Sequence, residues 1–315
     1  MPKISINIPT YNQKNYICSA IDSALNQTYS NIEINISDDC STDDTLNIIT
    51  AKYSNHKNIN IIKQERNIGR VKNYQKLLYE ICTGEWAINL DGDDFFCDNN
   101  YIQNAVQLIA TNKEVIMVMA KGMTLDTKTG QLSTRLKNYF DERAIRIFSE
   151  NELFFDVAEK DFFIEHATCI YHVPTAKKMQ FYQYDISSSD WESIFRLIIN
   201  HKVGFINNAV IHWRKHDNNT SEIPHLDDVV NNFLYIQSPY NYALKTIKPT
   251  SRVRKWYLKL GIEHMRMYLF REFVHDKFSF LKMSFYFFTK YPYVFINLVC
   301  SRSKFFISHL FKSSI

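Results

Sequence analysis

Three clusters of acidic residues follow predicted strands in this chain. They are Asp38-Asp39, Asp91-Gly92-Asp93-Asp94, and Asp190 with Glu192. In open parallel sheets, ligands bind beyond the carboxyl ends of the strands, so carboxylates from different strands can meet in one crevice. Crowded carboxylates oppose each other's ionisation unless a cation lies among them, and oxygen ligands favour Mg²⁺ or Mn²⁺ with phosphate as a further partner. The Asp91 cluster therefore predicts a divalent metal site, although taken alone it is equally compatible with a solvated acidic turn.

The segments that position these clusters alternate between strand and helix signals over the first 110 residues. Predicted strands lie at 4–8, 32–36, 59–62 and 86–90. Predicted helices lie at 15–26 and 70–82, and a further helix begins after an N-cap at Asp43 or Asp44. Repeated βα units of about 30 residues predict an α/β fold with a parallel sheet and helices on both faces. Further on, we predict strands at 115–120, 168–173 and 203–213, a helix at 191–200, and a long surface loop with short helices at 126–165.

The composition is that of a folded globular protein. The chain has 315 residues, of which 45% are hydrophobic and 22% charged, which excludes a disordered or low-complexity chain. Its six cysteines lack CxxC spacing, and no signal peptide is predicted before Ile4, so we expect a reduced, cytoplasmic protein. The most apolar segment, 283–300, is interrupted by Lys290 and Pro292, so no membrane-spanning helix is predicted.

The charge is divided unevenly along the chain. Residues 241–315 contain 14 Lys and Arg against 3 Asp and Glu, a net charge of +11, which leaves −7 for residues 1–240. The same segment contains 18 of the 46 aromatic residues. Basic and aromatic residues at helical spacing predict amphipathic helices at 251–288 that lie in the interface of an anionic membrane. The alternatives are packing on the acidic body or contact in a homodimer; no nucleic-acid partner is expected, because no RNA- or DNA-binding motif is present.

Several motifs occur in an order that resembles family 2 glycosyltransferases of the bacterial surface-polysaccharide type, which have the GT-A fold. The matching segments are Ile6-Asn7-Ile8-Pro9-Thr10-Tyr11-Asn12, Ala24-Leu25-Asn26-Gln27-Thr28-Tyr29, the turn from Ser37 to Thr45, Asn67-Ile68-Gly69, Leu90-Asp91-Gly92-Asp93-Asp94, Ser189-Asp190-Trp191-Glu192, and the block from His212 to Ser221. Each motif is weak alone, but together they occur in the expected order over residues 3–221, about 70% of the chain. The resemblance implies a mostly parallel central sheet flanked by helices, followed by a C-terminal helical extension that is basic and aromatic. We divide the chain into a nucleotide-sugar-binding half at 1–110, an acceptor-binding and catalytic half at 111–235, and a tail at 236–315.

The resemblance also implies roles for single residues at a nucleotide-sugar and metal site. Asp39 would accept a hydrogen bond from the imide N–H of the base. The other implied contacts are Pro9 and Tyr11 with the base, Asn67 and Lys72 with the nucleotide, Asp91 with the ribose or donor sugar, Asp93 with Mn²⁺ or Mg²⁺, Asp94 in support, and His216 with the metal or the diphosphate. Structural alternatives remain for several of them: helix capping for Asp39, packing for Tyr11 and His216, and a solvated helix surface for Lys72.

Asp190 is the expected catalytic base. Transfer with inversion needs a carboxylate within hydrogen-bond reach of the acceptor hydroxyl, whereas the leaving diphosphate needs no acid when a metal takes its charge. The family's usual Glu before this Asp is Ser189 here, which leaves Glu192 as a second candidate base. Asp190 could equally cap the following helix. Glu165 and His166 are weaker candidates for contacts with the acceptor, as is Glu192.

These observations predict a metal-dependent, inverting, non-processive glycosyltransferase of the hexosyltransferase type. The processive Q-x-x-R-W pattern is absent, so one sugar would pass from a nucleotide-sugar, preferably a UDP-sugar, to a polyprenyl-diphosphate-linked or other saccharide acceptor. The expected setting is bacterial surface polysaccharide or O-antigen synthesis at the inner face of the cell membrane. Two alternatives are a nucleotidyltransferase acting on sugar phosphates, which lacks its Gly-rich loop here, and a non-catalytic membrane scaffold with a transferase fold.

Overall fold

The computed structural model describes residues 1–134, 144–217, 219, 226–275 and 277–300. The described strands are β1 (Ile4–Thr10), β2 (Ile32–Asp38), β3 (Ile59–Lys63), β4 (Trp86–Asn89), β5 (Phe95–Phe96), β6 (Val115–Asp126), β7 (Leu132–Thr134), β8 (Ile145–Phe148), β9 (Ile170–His172) and β10 (Lys202–Lys215). The described helices are α1 (Ile17–Leu25), α2 (Thr45–Tyr53), α3 (Arg70–Lys76), α4 (Tyr101–Thr111), α5 (Glu152–Glu159), α6 (Val173–Lys178), α7 (Ser189–Leu197), α8 (Leu226–Asn232), α9 (Leu234–Thr246), α10 (Thr250–His275) and α11 (Lys277–Lys290).

One sheet joins the described strands in the order β3-β2-β1-β4-β9-β6-β10-β5, with β7 on β6 and β8 on β10. The first four strands are parallel, as the repeated βα units predict. β10 runs parallel to β6, whereas β9, β5, β7 and β8 pair in the antiparallel direction. The sheet is therefore parallel from β1 to β4, as predicted from the sequence, and mixed beyond these strands. The predicted halves at 1–110 and 111–235 share this sheet.

Both faces of β1 and β2 are buried, but they differ in chemistry. Ile4, Ile6 and Ile8 of β1 belong to the apolar core together with residues of α1 and α4. On the other face, the Asn35 amide donates to Asn7 (3.1 Å) and the Asn60 amide donates to Asn35 (2.8 Å). Hydrogen bonding of this kind compensates for burying polar side chains. The alternating sequence thus encodes an apolar layer and a hydrogen-bonded polar layer.

Glu33 belongs to this polar layer. Burial alone would raise the pKa of its carboxyl, but hydrogen bonds from Lys3, Ser5 and Thr83 lower the pKa to about 2. A pKa below the ordinary value of 4.5 means that the ionised group stabilises the fold above about pH 4.5, and that this stabilisation is lost as the pH falls towards 2.

We expect Glu33→Gln to lower the free energy of unfolding at pH 7 by about 2 to 3 kcal/mol. The difference from the wild type should shrink as the pH falls from 4.5 to 2, which urea denaturation at several pH values measures. Glu114→Gln is the matched control, because Glu114 is an exposed carboxylate paired with Lys202 and should change little. A difference from wild type that is constant across this pH range would contradict the assignment.

The prediction of a long surface loop at 126–165 is wrong for much of its described part. The segment adds β7 and β8 to the sheet, and α5 buries Leu153, Phe154 and Phe155. Four of its described aromatic residues, Phe148, Phe154, Phe155 and Phe162, are buried, and the rings of Phe148 and Phe162 pack edge to face with each other and with Phe205 of β10. Residues 135–143 lie outside the described residues, as do Asn218, Thr220 and Ser221 of the sequence block that ends at 221.

The described residues fall into two compact units, and the first contains Met1–Asp185 with Ser189–Asn219. The second contains Ile186–Ser188 and the described residues from 226 onward, so it begins before the predicted tail at 236. It consists of α8 to α11 and a further helix at 292–300, and it has its own aromatic core around Phe233, His264 and Phe287. Residues 301–315 of the predicted tail lie outside the described residues. None of the described helices combines the length and apolar character needed to cross a membrane.

The apolar stripe along α10, which runs from Val253 to Val274, divides into two parts. Val253 and Trp256 at the start of α10 are buried, whereas Met267, Phe270 and Val274 near its end are exposed. Periodicity predicts the helix correctly, but the second half of the stripe is not covered by the second unit's own core.

Candidate active site

The turn after β2 is tied to the loop before α3 through Asp39. Its two carboxylate oxygens accept hydrogen bonds from the N–H groups of Ile68 (2.7 Å) and Gly69 (2.9 Å). Gly69 has φ 88°, a left-handed conformation that favours glycine, and the side chain of Asn67 accepts a second bond from its N–H. Asp39 therefore has a structural role in this turn, and each carboxylate oxygen retains a second lone pair for a ligand.

The other residues predicted to contact the nucleotide lie around this turn. Pro9 is buried near the end of β1, and Tyr11 follows β1 with an exposed ring. Lys72 is exposed on α3. Asp38 is buried and accepts a hydrogen bond from the N–H of Ser41 (3.0 Å), in agreement with a role in shaping the turn.

Asp91, Asp93 and Asp94 form one cluster after β4, in which one ligand oxygen from each residue lies within 4.8 Å of the others. Asp91 accepts a hydrogen bond from the hydroxyl of Tyr74. Oδ2 of Asp93 lies 3.0 Å from Nε2 of His216, so the structure brings these two predicted metal ligands together although 123 positions separate them in sequence. Asp94 is buried and accepts the N–H of Arg214 (2.9 Å).

The chemistry of this cluster fits a divalent cation. Burial, followed by the charge of Asp91, raises the pKa of Asp93. Burial, followed by the charges of Asp93 and Asp91, raises the pKa of Asp94 well above its usual range. Oδ2 of Asp94 is buried and has no hydrogen-bond partner among the described residues. A cation bound by Asp93 and Asp94, with Asp91 beside it, would relieve both the charge crowding and the unsatisfied oxygen.

Arg214 braces this cluster, and sequence analysis did not single it out. Its guanidinium donates to the backbone carbonyl of Asp93 (2.6 Å) and to Ser19 (2.9 Å), and it lies over the ring of Phe95. His216 stacks on Tyr16 with ring centroids 4.7 Å apart. The sequence signal for Arg214 was its position two residues before His216, near the end of β10.

Asp190 lies in the first turn of α7, where Oδ1 accepts the N–H of Trp191 (2.9 Å). Its other oxygen is 3.3 Å from Nε2 of His166. Asp190, His166 and Asp91 line one pocket, whose wall includes the rings of Tyr74 and Tyr182. The structure therefore brings together the predicted base, one predicted acceptor contact and the predicted sugar contact.

Glu192 and Glu165 are both buried and lie outside the pocket that Asp190 and Asp91 share. Glu192 is buried and holds Arg196 through two hydrogen bonds of 2.6 and 2.9 Å, because the two residues are four positions apart on α7. Glu165 is buried against Gly122, where an added Cβ would come within 2.6 Å of its side chain. Neither carboxylate lines the pocket that Asp190 and Asp91 share.

Sequence analysis also missed three residues around this pocket. Arg70, the first residue of α3, lies over the ring of Tyr74 and interacts electrostatically with Asp190 and Asp91. Tyr74 donates to Asp91, and Tyr182 stacks on Tyr74. The position of Arg70 directly after Asn67-Ile68-Gly69 was a usable signal, whereas nothing in the local sequence indicates Tyr182.

Comparison with known proteins gives one family match: the model of "Glycosyl transferase family 2" matches residues 5–167. This segment contains Asp39 and the Asp91 cluster and ends just before Thr168, while Asp190 and His216 lie beyond it. It covers slightly more than half of the chain.

Two curated relatives and one solved structure illustrate the similarity. Chondroitin synthase of Escherichia coli is 43% identical over 96 residues, which are 30% of this chain and 14% of that protein. UDP-Glc:alpha-D-GlcNAc-diphosphoundecaprenol beta-1,3-glucosyltransferase WfaP of E. coli is 38% identical over 120 residues, 36% of this chain and 43% of that protein. The crystal structure of S. aureus TarS 1-349 in complex with UDP-GlcNAc superposes with a TM-score of 0.73 at 17% identity, covering 93% of this chain and 82% of that one. The chain thus spans less than half of the length of these curated relatives, and the structural likeness shows a shared GT-A fold.

Proposed function

The chain belongs to glycosyl transferase family 2, and from that premise we propose that it is a metal-dependent, inverting, non-processive glycosyltransferase. It would move one sugar from a UDP-sugar to a lipid-linked saccharide in the synthesis of a bacterial surface polysaccharide. The observation that carries this proposal is the pocket between Asp91, a member of the acidic cluster, and Asp190 at the start of α7. Direct transfer of a sugar requires a nucleotide-sugar donor bound at one side of the pocket and a catalytic base at the other side.

The donor would bind at the carboxyl ends of β1, β2 and β4. Asp39 and Tyr11 would contact the base, with Asn67 and Lys72 near the rest of the nucleotide, and Asp91 would contact the ribose or the sugar. Asp93, Asp94 and His216 would hold Mn²⁺ or Mg²⁺ near the diphosphate. When bound, such a cation supplies Lewis-acid stabilisation of the charge that develops on the leaving diphosphate.

Asp190 would act as the general base. Its carboxylate takes the proton of the acceptor hydroxyl while that oxygen forms a bond to the anomeric carbon and the bond from this carbon to the diphosphate oxygen breaks. One displacement inverts the configuration, so an α-linked donor gives a β-linked product. His166, 3.3 Å from Asp190, would orient the carboxylate or contact the acceptor.

We further propose that a face of the second unit rests on the inner, anionic surface of the cell membrane, where a polyprenyl-diphosphate acceptor would be found. WfaP, by its name, acts on a diphosphoundecaprenol-linked sugar, which supports this class of acceptor. Eleven large apolar side chains between residues 267 and 299 are 48–74% exposed: Met267, Phe270, Phe273, Val274, Phe278, Leu281, Phe285, Phe288, Tyr293, Ile296 and Val299. We call these residues the apolar face. An exposed apolar surface of this extent marks an interaction site.

Charge favours a lipid surface over a second copy of the chain as the occupant of the apolar face. Lys277, Lys282 and Lys290 are exposed on α11 beside it, and Arg266 is exposed on α10. A symmetric dimer would bring these like charges together, whereas anionic headgroups attract them by about 1 kcal/mol for each basic residue near the surface. Aromatic side chains with basic neighbours are typical of helices that lie in the membrane interface.

We expect the variant Phe278→Ser, Leu281→Ser, Phe285→Ser to bind anionic vesicles at least tenfold more weakly than wild type. These side chains are exposed, so the melting temperature should change little and hydrolysis of a soluble donor should persist. Co-sedimentation with vesicles of phosphatidylglycerol and phosphatidylethanolamine measures the binding, and added salt should weaken it for the wild type.

The control triple variant Tyr79→Ser, Leu132→Ser, Ile145→Ser removes exposed apolar residues of the first unit and should sediment like wild type. Unchanged sedimentation of the α11 variant would overturn the membrane proposal. A dimer in light scattering that the α11 variant dissociates would instead assign the apolar face to self-association.

A further inference from the structure

The turn that follows α6 has an unfavourable backbone conformation close to the pocket. Gln180 and Tyr182 have φ 54° and 62°, in the left-handed region that non-glycine residues rarely adopt. Such conformations cost free energy and persist only where the surroundings impose them, which happens most often at functional sites. We call residues 179–182 the pocket turn.

Hydrogen bonds from two helices impose this conformation. Arg196 of α7 donates to the carbonyl of Met179 and to that of Gln180 (3.0 Å). Ser193, also of α7, accepts the N–H of Tyr182 (2.8 Å), and Gln75 of α3 donates to the carbonyl of Tyr182 (2.7 Å). The planar guanidinium of Arg196 thus binds two consecutive carbonyl groups through a fixed fork of donors, a geometry that the single ammonium group of a lysine does not provide.

Arg196 is itself fixed by Glu192. The side chains are 7% and 1% exposed, and both carboxylate oxygens accept hydrogen bonds from the guanidinium. Burying an ion pair costs desolvation free energy that its attraction often does not exceed, so such a pair is weak evidence for a role in stability. What the pair does in this fold is to hold Arg196 against the pocket turn.

The pocket turn places the ring of Tyr182 in the wall of the pocket that Asp91 and Asp190 also line. This ring stacks on Tyr74 with centroids 5.2 Å apart and an interplanar angle of 16°. Asn89 at the end of β4 donates to the Tyr182 hydroxyl, and Tyr74 donates to Asp91. The ring position is therefore defined by stacking, by the amide of Asn89 and by the backbone of the turn.

We propose that Tyr182 determines which sugar the enzyme transfers, and that Arg196, held by Glu192, is the positioning residue that sets the depth of the pocket through the turn. The inference rests on the proposed function, because the transferred sugar must lie between a donor contact at Asp91 and a base at Asp190. An aromatic wall that is fixed in this way accommodates some ring substituents and excludes others, as one methylene or hydroxyl in a pocket already changes selectivity by 10- to 200-fold. The ligand class is the hexose or N-acetylhexosamine ring of a UDP-sugar.

The test compares Tyr182→Leu, Tyr182→Phe and Arg196→Lys with wild type in the full-length protein. We measure kcat/KM for Mn²⁺-dependent hydrolysis of UDP-Glc, UDP-Gal, UDP-GlcNAc and UDP-GalNAc, and UDP affinity with Mn²⁺ by calorimetry. The expected result is a change of at least tenfold in the ratio of kcat/KM between two donors for Tyr182→Leu, and a smaller shift in the same direction for Arg196→Lys. UDP affinity should stay within about threefold of wild type, because the contacts of the protein with the nucleobase and with the metal are unchanged.

The control is Tyr53→Leu, which removes a buried tyrosine of α2 that is hydrogen-bonded to Asp22 and does not line the pocket. It should lower the melting temperature without changing donor ratios. Tyr182→Phe keeps the aromatic ring and should keep donor ratios close to those of wild type. If the pocket turn is only structural, Tyr182→Leu and Arg196→Lys will resemble the Tyr53→Leu control, with all donors affected equally, and the inference is overturned. A folded wild type that neither binds UDP with Mn²⁺ nor hydrolyses any donor would overturn the proposed function itself, and the inference with it.

Discussion

Asp93→Ala is expected to abolish sugar transfer and the Mn²⁺-dependent part of UDP binding together. Asp93 links the acidic cluster to the end of β10. Its Oδ2 lies 3.0 Å from Nε2 of His216, and one of its carboxylate oxygens lies within 4.8 Å of an oxygen of Asp91 and of Asp94. Removing it leaves a cation with fewer oxygen ligands and removes the partner of His216. Calorimetry with UDP in Mn²⁺ and in EDTA, beside an assay of UDP release, measures both losses.

The fold should survive this substitution. The pKa of Asp93 is raised by burial and by Asp91, so without a cation the carboxylate is under electrostatic strain, and its removal relieves that strain. The melting temperature without metal should therefore stay close to that of wild type or rise. Glu114→Ala, which removes an exposed carboxylate outside the site, is the matched control for activity. Normal Mn²⁺-dependent turnover by Asp93→Ala would show that the metal assignment is wrong.

Asp190→Asn is expected to lower transfer by about 10²-fold or more while leaving donor affinity near that of wild type. General-base catalysis contributes about 10²- to 10⁴-fold, and an amide cannot take the acceptor proton. The amide oxygen can still accept the N–H of Trp191, so the first turn of α7 keeps its hydrogen bond and stability should change little. Single-turnover transfer and UDP calorimetry separate the two effects.

Glu192→Gln is the informative companion variant. It weakens the buried pair with Arg196, so we expect a clear drop in melting temperature, in contrast to Asp190→Asn. An active Asp190→Asn together with a folded but inactive Glu192→Gln would identify Glu192 as the base, contrary to the geometry of the pocket.

The acidic half of the site could be predicted from the sequence because it depends on local order. Asp39 and Asp91 follow two strands of the parallel sheet, and β1 lies between those strands, so their strand ends meet at one edge. The proximity of Asp93 and His216 could also be predicted, because both belong to motifs that occur in a defined order along the chain.

The other half of the site depends on long-range packing that no local pattern encodes. Glu192 is two positions from Asp190, yet its carboxylate is buried and accepts a hydrogen bond from Arg196, one helical turn later. Arg196 in turn donates to the carbonyls of residues 179 and 180, which are distant from α7 in the local sequence pattern. Strand β8 pairs with residues 203–206 of β10, which are far from it in sequence, whereas β7 forms a local hairpin with β6. In the second unit, apolar residues occur around most of α11, so periodicity identifies the helix without showing which side is buried.

The most direct test of the proposed function is UDP release from a panel of UDP-sugars by the purified full-length protein, in Mn²⁺ and in EDTA. We expect at least one donor to be hydrolysed in Mn²⁺, with the activity lost in EDTA and in Asp93→Ala and reduced by about 10²-fold in Asp190→Asn. A folded protein that hydrolyses no donor and binds UDP no better in Mn²⁺ than in EDTA would contradict a metal-dependent glycosyltransferase.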